Sequence, residues 1–62
     1  MRYYKLLESK VDELETFENI AQYLSECNNE IVCVHDVRYA QEGVAIIQYE
    51  VLYLKQMTLM LH

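Results

Sequence analysis

Residues 30 to 55, EIVCVHDVRYAQEGVAIIQYEVLYLK, form an almost unbroken run of strand-forming residues in which both alternating registers are largely apolar. Successive side chains of a strand point to opposite faces, so such a run asks for apolar cover on both sides of a sheet. The chain has 62 residues with which to supply it. A domain of that size buries only about 60% of the surface its unfolded chain exposes, and scaffolds this small usually gain support from disulfides, a metal or oligomerisation. Cover for the second face is therefore the main constraint on the fold.

Gly43, the sole glycine, divides the run into two strands, because only glycine takes a left-handed backbone without steric cost. A three-residue loop of Gln41, Glu42 and Gly43 would set Ala40 opposite Val44, so that odd residues face odd residues across the pair. One face then carries Ile31, Cys33, His35, Val37 and Tyr39 beside Ala45, Ile47, Tyr49, Val51 and Tyr53. The other carries Val32, Val34, Asp36, Arg38 and Ala40 beside Ile46, Gln48, Glu50, Leu52 and Leu54, a polar centre with apolar ends. A two-residue loop would mix these sets, since a one-residue slip sends every side chain to the opposite face.

Ahead of the hairpin, SKVDELETFENIAQYLSEC places Val11, Leu14, Phe17, Ile20, Ala21, Leu24 and Cys27 at three- and four-residue steps, the stripe of an amphipathic helix. Ser9 stands at the expected N-cap, with Asp12 in the capping-box position three residues later, and Asn28 and Asn29 suit the left-handed end of a helix. Arg2 to Leu7 reads as a short strand. The expected fold is a single α+β domain of βαββ order: strand 2–7, helix 10–27, strand 30–40, strand 44–56 and an apolar tail 57–62. The helix lies on one face of a mainly antiparallel three-stranded sheet with the third strand central. It packs on the odd-residue face and leaves the other bare. Val32, Val34, Ile46, Leu52 and Leu54 on that bare face, with Met57, Leu59, Met60 and Leu61 of the tail, are the candidate contact with a second copy or a partner.

No stretch carries a catalytic, nucleotide or metal signature. Cys27, Cys33 and His35 form C-x5-C-x-H, without the paired ligands of a zinc module, and both thiols are expected as small apolar core residues. No metal, cofactor or catalytic residue is assigned, and the chain is expected not to be an enzyme. Six tyrosines would suit base stacking. However, five basic residues face ten carboxylates, and at a net charge of −5 the surface repels phosphate. Direct nucleic-acid binding is not expected, and the tyrosines fit strands and protein interfaces. No run approaches the about 20 apolar residues of a membrane span, and Met1 to Lys10 lacks the apolar core of a signal peptide. A cytoplasmic location with reduced thiols is expected.

The carboxylates cluster in and around the helix. Asp12, Glu13, Glu15, Glu18 and Glu26 form a candidate acidic interaction face for a partner with a basic surface, and otherwise a solvated outer face that maintains solubility.

The strand, the acidic helix, then EIVCVHDVRYA and AIIQYEVLYLK together resemble the Cse family of very small acidic sporulation-associated proteins of endospore-forming bacteria. The likeness spans roughly residues 2 to 55: a second strand of the type I/V-x-V-x-x-x-R-Y at Val32, Val34, Arg38 and Tyr39, and a third closing in L-Y-L-K. The tail from Met57 has no counterpart in it. The build is also similar to that of small phage-encoded inhibitors of host proteins. The resemblance implies a bacterial or phage origin and no catalytic residue. The reading is of a homodimeric, protein-binding module or inhibitor, with a structural or assembly component as the alternative.

Overall fold

The computed structural model describes residues 1–54 of the chain. The elements run β1 (Arg2–Leu7), α1 (Glu8–Leu14), α2 (Phe17–Asn28), β2 (Glu30–Gln41) and β3 (Val44–Leu54). The three strands form one antiparallel sheet in the order β1-β3-β2, so the apolar third strand is central, as its composition predicts. The fold is α+β, with helices over one sheet face. The expected extension of the last strand to residue 56 and the tail 57–62 lie outside the described residues.

The expected single helix is two. Glu15, between them, adopts φ 70° and ψ −42°, and the Thr16 amide donates to the Leu14 carbonyl at 2.8 Å. That is a γ-turn of the rare, strained kind with positive φ at its centre. What interrupts a pattern with no glycine or proline is local capping. Thr16 has extended backbone and its hydroxyl accepts from the Asn19 amide at 3.1 Å, which makes it the N-cap of α2. The Asn19 side chain in turn donates to the Leu14 carbonyl at 2.7 Å, satisfying a backbone acceptor freed at the end of α1. The start also differs: α1 begins at Glu8 with Leu7 as an uncapped N-cap, so Ser9 does not cap. The far end follows expectation, with Asn29 left-handed at φ 58° and its amide donating to the Ser25 carbonyl.

The hairpin differs in its loop. Gln41 pairs with Val44 across a two-residue loop of Glu42 and Gly43, the latter at φ +80°. A register shift between Tyr39 and Gln41 then inserts Ala40 as an extra residue. The bulge restores what the shorter loop would have changed, and Tyr39↔Ala45, Val37↔Ile47 and Asp36↔Gln48 pair odd with odd and even with even. Further along, a second bulge inserts His35 on β2, and a third inserts Leu52 on β3. Between them Val32 opposes Val51 and Val34 opposes Tyr49, so in this part of β2 the even residues turn toward the helices.

The core follows from that flip. Leu6 of β1, Val11 of α1, Ile20 and Leu24 of α2, Val32 and Val34 of β2, and Ala45, Ile47 and Tyr49 of β3 are buried together. Each large aliphatic so buried contributes about 1.5–3 kcal/mol. Val32 and Val34 are thus core residues, contrary to their expected place on the bare face. Cys33 and His35 are exposed instead of facing the helices. Cys27 and Phe17 are exposed as well: they sit in the last and first turns of α2, and only its middle, at Ile20 and Leu24, reaches the sheet deeply. The Glu8 amide donates to the Gly43 carbonyl at 3.0 Å and ties the β1–α1 corner to the hairpin turn.

Candidate interaction surfaces

Among the described residues, two surfaces are left open. The first is the outer side of the helical layer, where Asp12, Glu13, Glu15, Glu18 and Glu26 are all exposed, as their spacing relative to the apolar stripe predicts. The break at Glu15 spreads them over two short helices. Lys10 Nζ lies 3.0 Å from Glu13 Oε1, and that hydrogen bond and charge hold the Lys10 ammonium above the ordinary lysine range. Lys10 also sits 5.0 Å from the centre of the Tyr23 ring, a cation–π distance. Hydrogen bonding with Cys27, one helical turn away, then the negative charge of its ionised thiol, then desolvation raise the Tyr23 pKa, with Lys10 opposing. Leu14, Asn19, Gln22, Tyr23 and Glu26 line a notch of about 180 Å³ at the α1–α2 junction, open to solvent. It offers an apolar floor and a carboxylate but no enclosure of the kind that substrate sites provide.

Beneath the helices, Arg2 Nη1 donates to Glu30 Oε2 at 2.9 Å across the sheet. The Tyr49 hydroxyl as acceptor, then Glu30, raise the Arg2 pKa above its ordinary value. The Glu30 side chain is 8% exposed, and its Oε1 has no hydrogen-bond partner among the described residues. The pair is placed as a lock between the two edge strands.

The second surface is the sheet face away from the helices. Its residues stand in cross-strand rows: Leu7 beside Val44, then Lys5, Ile46 and Arg38, then Tyr3, Gln48 and Asp36. Glu50 follows with Cys33 opposite and His35 alongside, His35 Nε2 lying 3.1 Å from Glu50 Oε1, and Leu52 lies beyond. Arg38 Nη2 lies 3.8 Å from Asp36 Oδ2, and Gln48 Nε2 lies 3.5 Å from the Tyr3 hydroxyl. Of the expected contact residues, Ile46 and Leu52 are on this face, while Val32 and Val34 are not. Leu54 pairs with Glu30 in the β2–β3 ladder, and Met57, Leu59, Met60 and Leu61 lie outside the described residues. Alternation alone misses Cys33, His35 and the three β1 members. The sequence signal for the first two is the polar pair His35-Asp36 in the middle of an apolar strand, which fits a bulge better than regular alternation.

Among the described residues, no group of three or more His, Cys, Asp or Glu side chains is placed to hold a metal ion. Among the same residues, no helix is long and apolar enough to cross a membrane. No family model matches the chain, and comparisons with curated proteins and with solved structures likewise yield no match.

Proposed function

We propose that this chain is a non-enzymatic protein-binding module, an inhibitor or adaptor of bacterial or phage origin that works in the cytoplasm as a homodimer and offers its acidic helical layer to a basic surface of another protein. The observation that carries the reading is the layer itself: five exposed carboxylates on and between two short helices, of which Glu13 is paired with Lys10. Like charges held this close on one side of a small domain repel one another, and a positive partner surface relieves that repulsion. Long-range attraction also raises the rate of encounter, steeply so at low salt. The second reading, a structural or assembly component, rests on the resemblance to small sporulation-associated proteins and makes self-association the function.

Capture from a bacterial lysate on the immobilised protein, compared with a Glu13→Lys, Glu18→Lys, Glu26→Lys variant, separates the two. A protein retained in stoichiometric amount by the parent, lost from the variant and released by moderate salt supports the binding module. Equal retention by both, or self-association alone, overturns it.

A further inference from the structure

We infer that the open sheet face is closed by a second copy of this chain, face to face, about a two-fold axis that lies in the interface across the strands near Gln48. The inference deepens the homodimer of the reading above by assigning its contact, and it rests on how charge is divided over the molecule. Two cations, Lys5 and Arg38, and two carboxylates, Asp36 and Glu50, point from this face, which is formally neutral. The remaining eight carboxylates lie on the helices, in the hairpin turn or under the helical layer, and leave that side strongly acidic. For a chain of net charge −5, the neutral face is where a second copy approaches with least repulsion, and the acidic layers then point away from each other.

The order of the rows makes the face complementary to itself. A two-fold axis across the strands at Gln48 sets the Ile46 row of one copy over the Glu50 row of the other. The Glu50 carboxylate of one copy then lies over Ile46 of the other, between Lys5 and Arg38, and the same contact recurs on the other side of the axis, as an isologous interface requires. One step further out, Leu7 and Val44 meet Leu52, apolar against apolar. Asp36, on the axis row, meets its own symmetry mate, and the Arg38 beside it in each copy, 3.8 Å away, offsets that repulsion. With strands about 4.8 Å apart and a rise of about 3.3 Å per residue, the face covers about 450 Å² in plan, which side-chain relief enlarges toward the about 600–800 Å² per partner of weak to standard interfaces.

The edges are poorer docking sites. The outer edge of β2 is broken by the extra residues His35 and Ala40, and β1 is six residues long with Lys5 at its middle. Bulges, short edge strands and lysine are the devices that discourage strand addition.

Sedimentation equilibrium or light scattering of the full chain provides the test. The parent should show about twice the 7.4 kDa chain mass at micromolar concentration. Lys5→Glu with Arg38→Glu, which makes the face wholly acidic, should raise the dissociation constant at least about tenfold. Adding Asp36→Lys and Glu50→Lys to that variant restores neutrality with the pattern inverted and should bring the dimer back. Circular dichroism on each variant establishes that it is folded, and Ile46→Glu gives an independent disruption at the centre of the face. A folded parent that stays monomeric overturns the inference, as do a two-charge variant that dimerises like the parent and a folded four-charge variant that stays monomeric. The helical-layer variant Glu13→Lys, Glu18→Lys, Glu26→Lys should dimerise normally while losing partner capture, so that failure of this inference and failure of the proposed function are read separately.

Discussion

Glu15→Gly tests the bent helix, because its sign differs between the two architectures the sequence permits. At φ 70° a glutamate holds a conformation that costs a non-glycine residue about 1–3 kcal/mol, and glycine removes that cost. Glycine also adds freedom to the unfolded chain, which offsets about 0.4–1 kcal/mol of the gain. The Glu15 side chain is exposed, so no packing is lost with it. The net expectation is a stabilisation of about 1 kcal/mol, equivalent to a rise in Tm of about 4–8 °C for a domain this small. Were residues 10–27 one continuous helix, the same substitution would put glycine in a helix interior and destabilise by about 1 kcal/mol. Urea and thermal unfolding followed by circular dichroism measure the difference, at one fixed protein concentration because association shifts apparent stability. Glu15→Ala keeps the strain and is the control, with a change within about 0.5 kcal/mol of zero. A Gly variant less stable than the parent would refute the γ-turn and the strain assigned to it.

Two further predictions concern α2. Leu24→Ala should destabilise by about 2–5 kcal/mol in urea unfolding, since the side chain is fully buried, whereas Phe17→Ala, at 49% exposed, should cost much less, and equal losses would contradict the orientation of the helix. Tyr23 should ionise above the ordinary tyrosine range when followed by the NMR shift of its ring carbon, and Cys27→Ala should move it back down. Because the folded-state pKa is the raised one, this contribution to stability is present below the ordinary tyrosine pKa of about 10 and is lost as pH rises through the folded value.

Much of the fold is written in local pattern. The apolar residues of β3 mark it as central, Gly43 marks the hairpin, and Asn29 marks the end of α2; all three follow from one-residue or period-two chemistry. The misplaced elements are those where a single residue changes the phase. In the helical region the stripe from Val11 to Leu24 continues through the break, and the interruption is signalled only by Thr16 with Asn19 three residues on, a capping pair that a count of apolar spacings passes over. In the strands, three one-residue insertions decide which alternate residues are buried. Alternation places Val37, Ala45, Ile47 and Tyr49 correctly and fails beyond His35, where Val32 and Val34 exchange faces with Cys33. The acidic layer is legible because solvent exposure of glutamate needs no exact phase. The open face is legible only in part: Asp36, Arg38, Ile46, Gln48, Glu50 and Leu52 follow from alternation, whereas Cys33 and His35 depend on the bulge.

The bulge at His35 also determines what kind of surface that face is. Without it, Val32 and Val34 would lie outside with Ile46 and Leu52, a contiguous apolar patch on a small domain and a ready site for indiscriminate aggregation. The core beneath α2 would lose two valines, a loss that a chain of this size has little reserve to absorb. With the extra residue in place, the valines fill the space under Leu24 and Ile20, and Cys33 and His35 take the outer positions beside Glu50. One inserted residue therefore strengthens the core and takes two valines off the second face, so that the charged residues already there dominate it. Apolar contacts attract any apolar surface, whereas rows of opposite sign accept only a partner with the matching order and penalise the rest. The second face of the long strand pair is thus left uncovered within the described chain, but in a form that selects its cover.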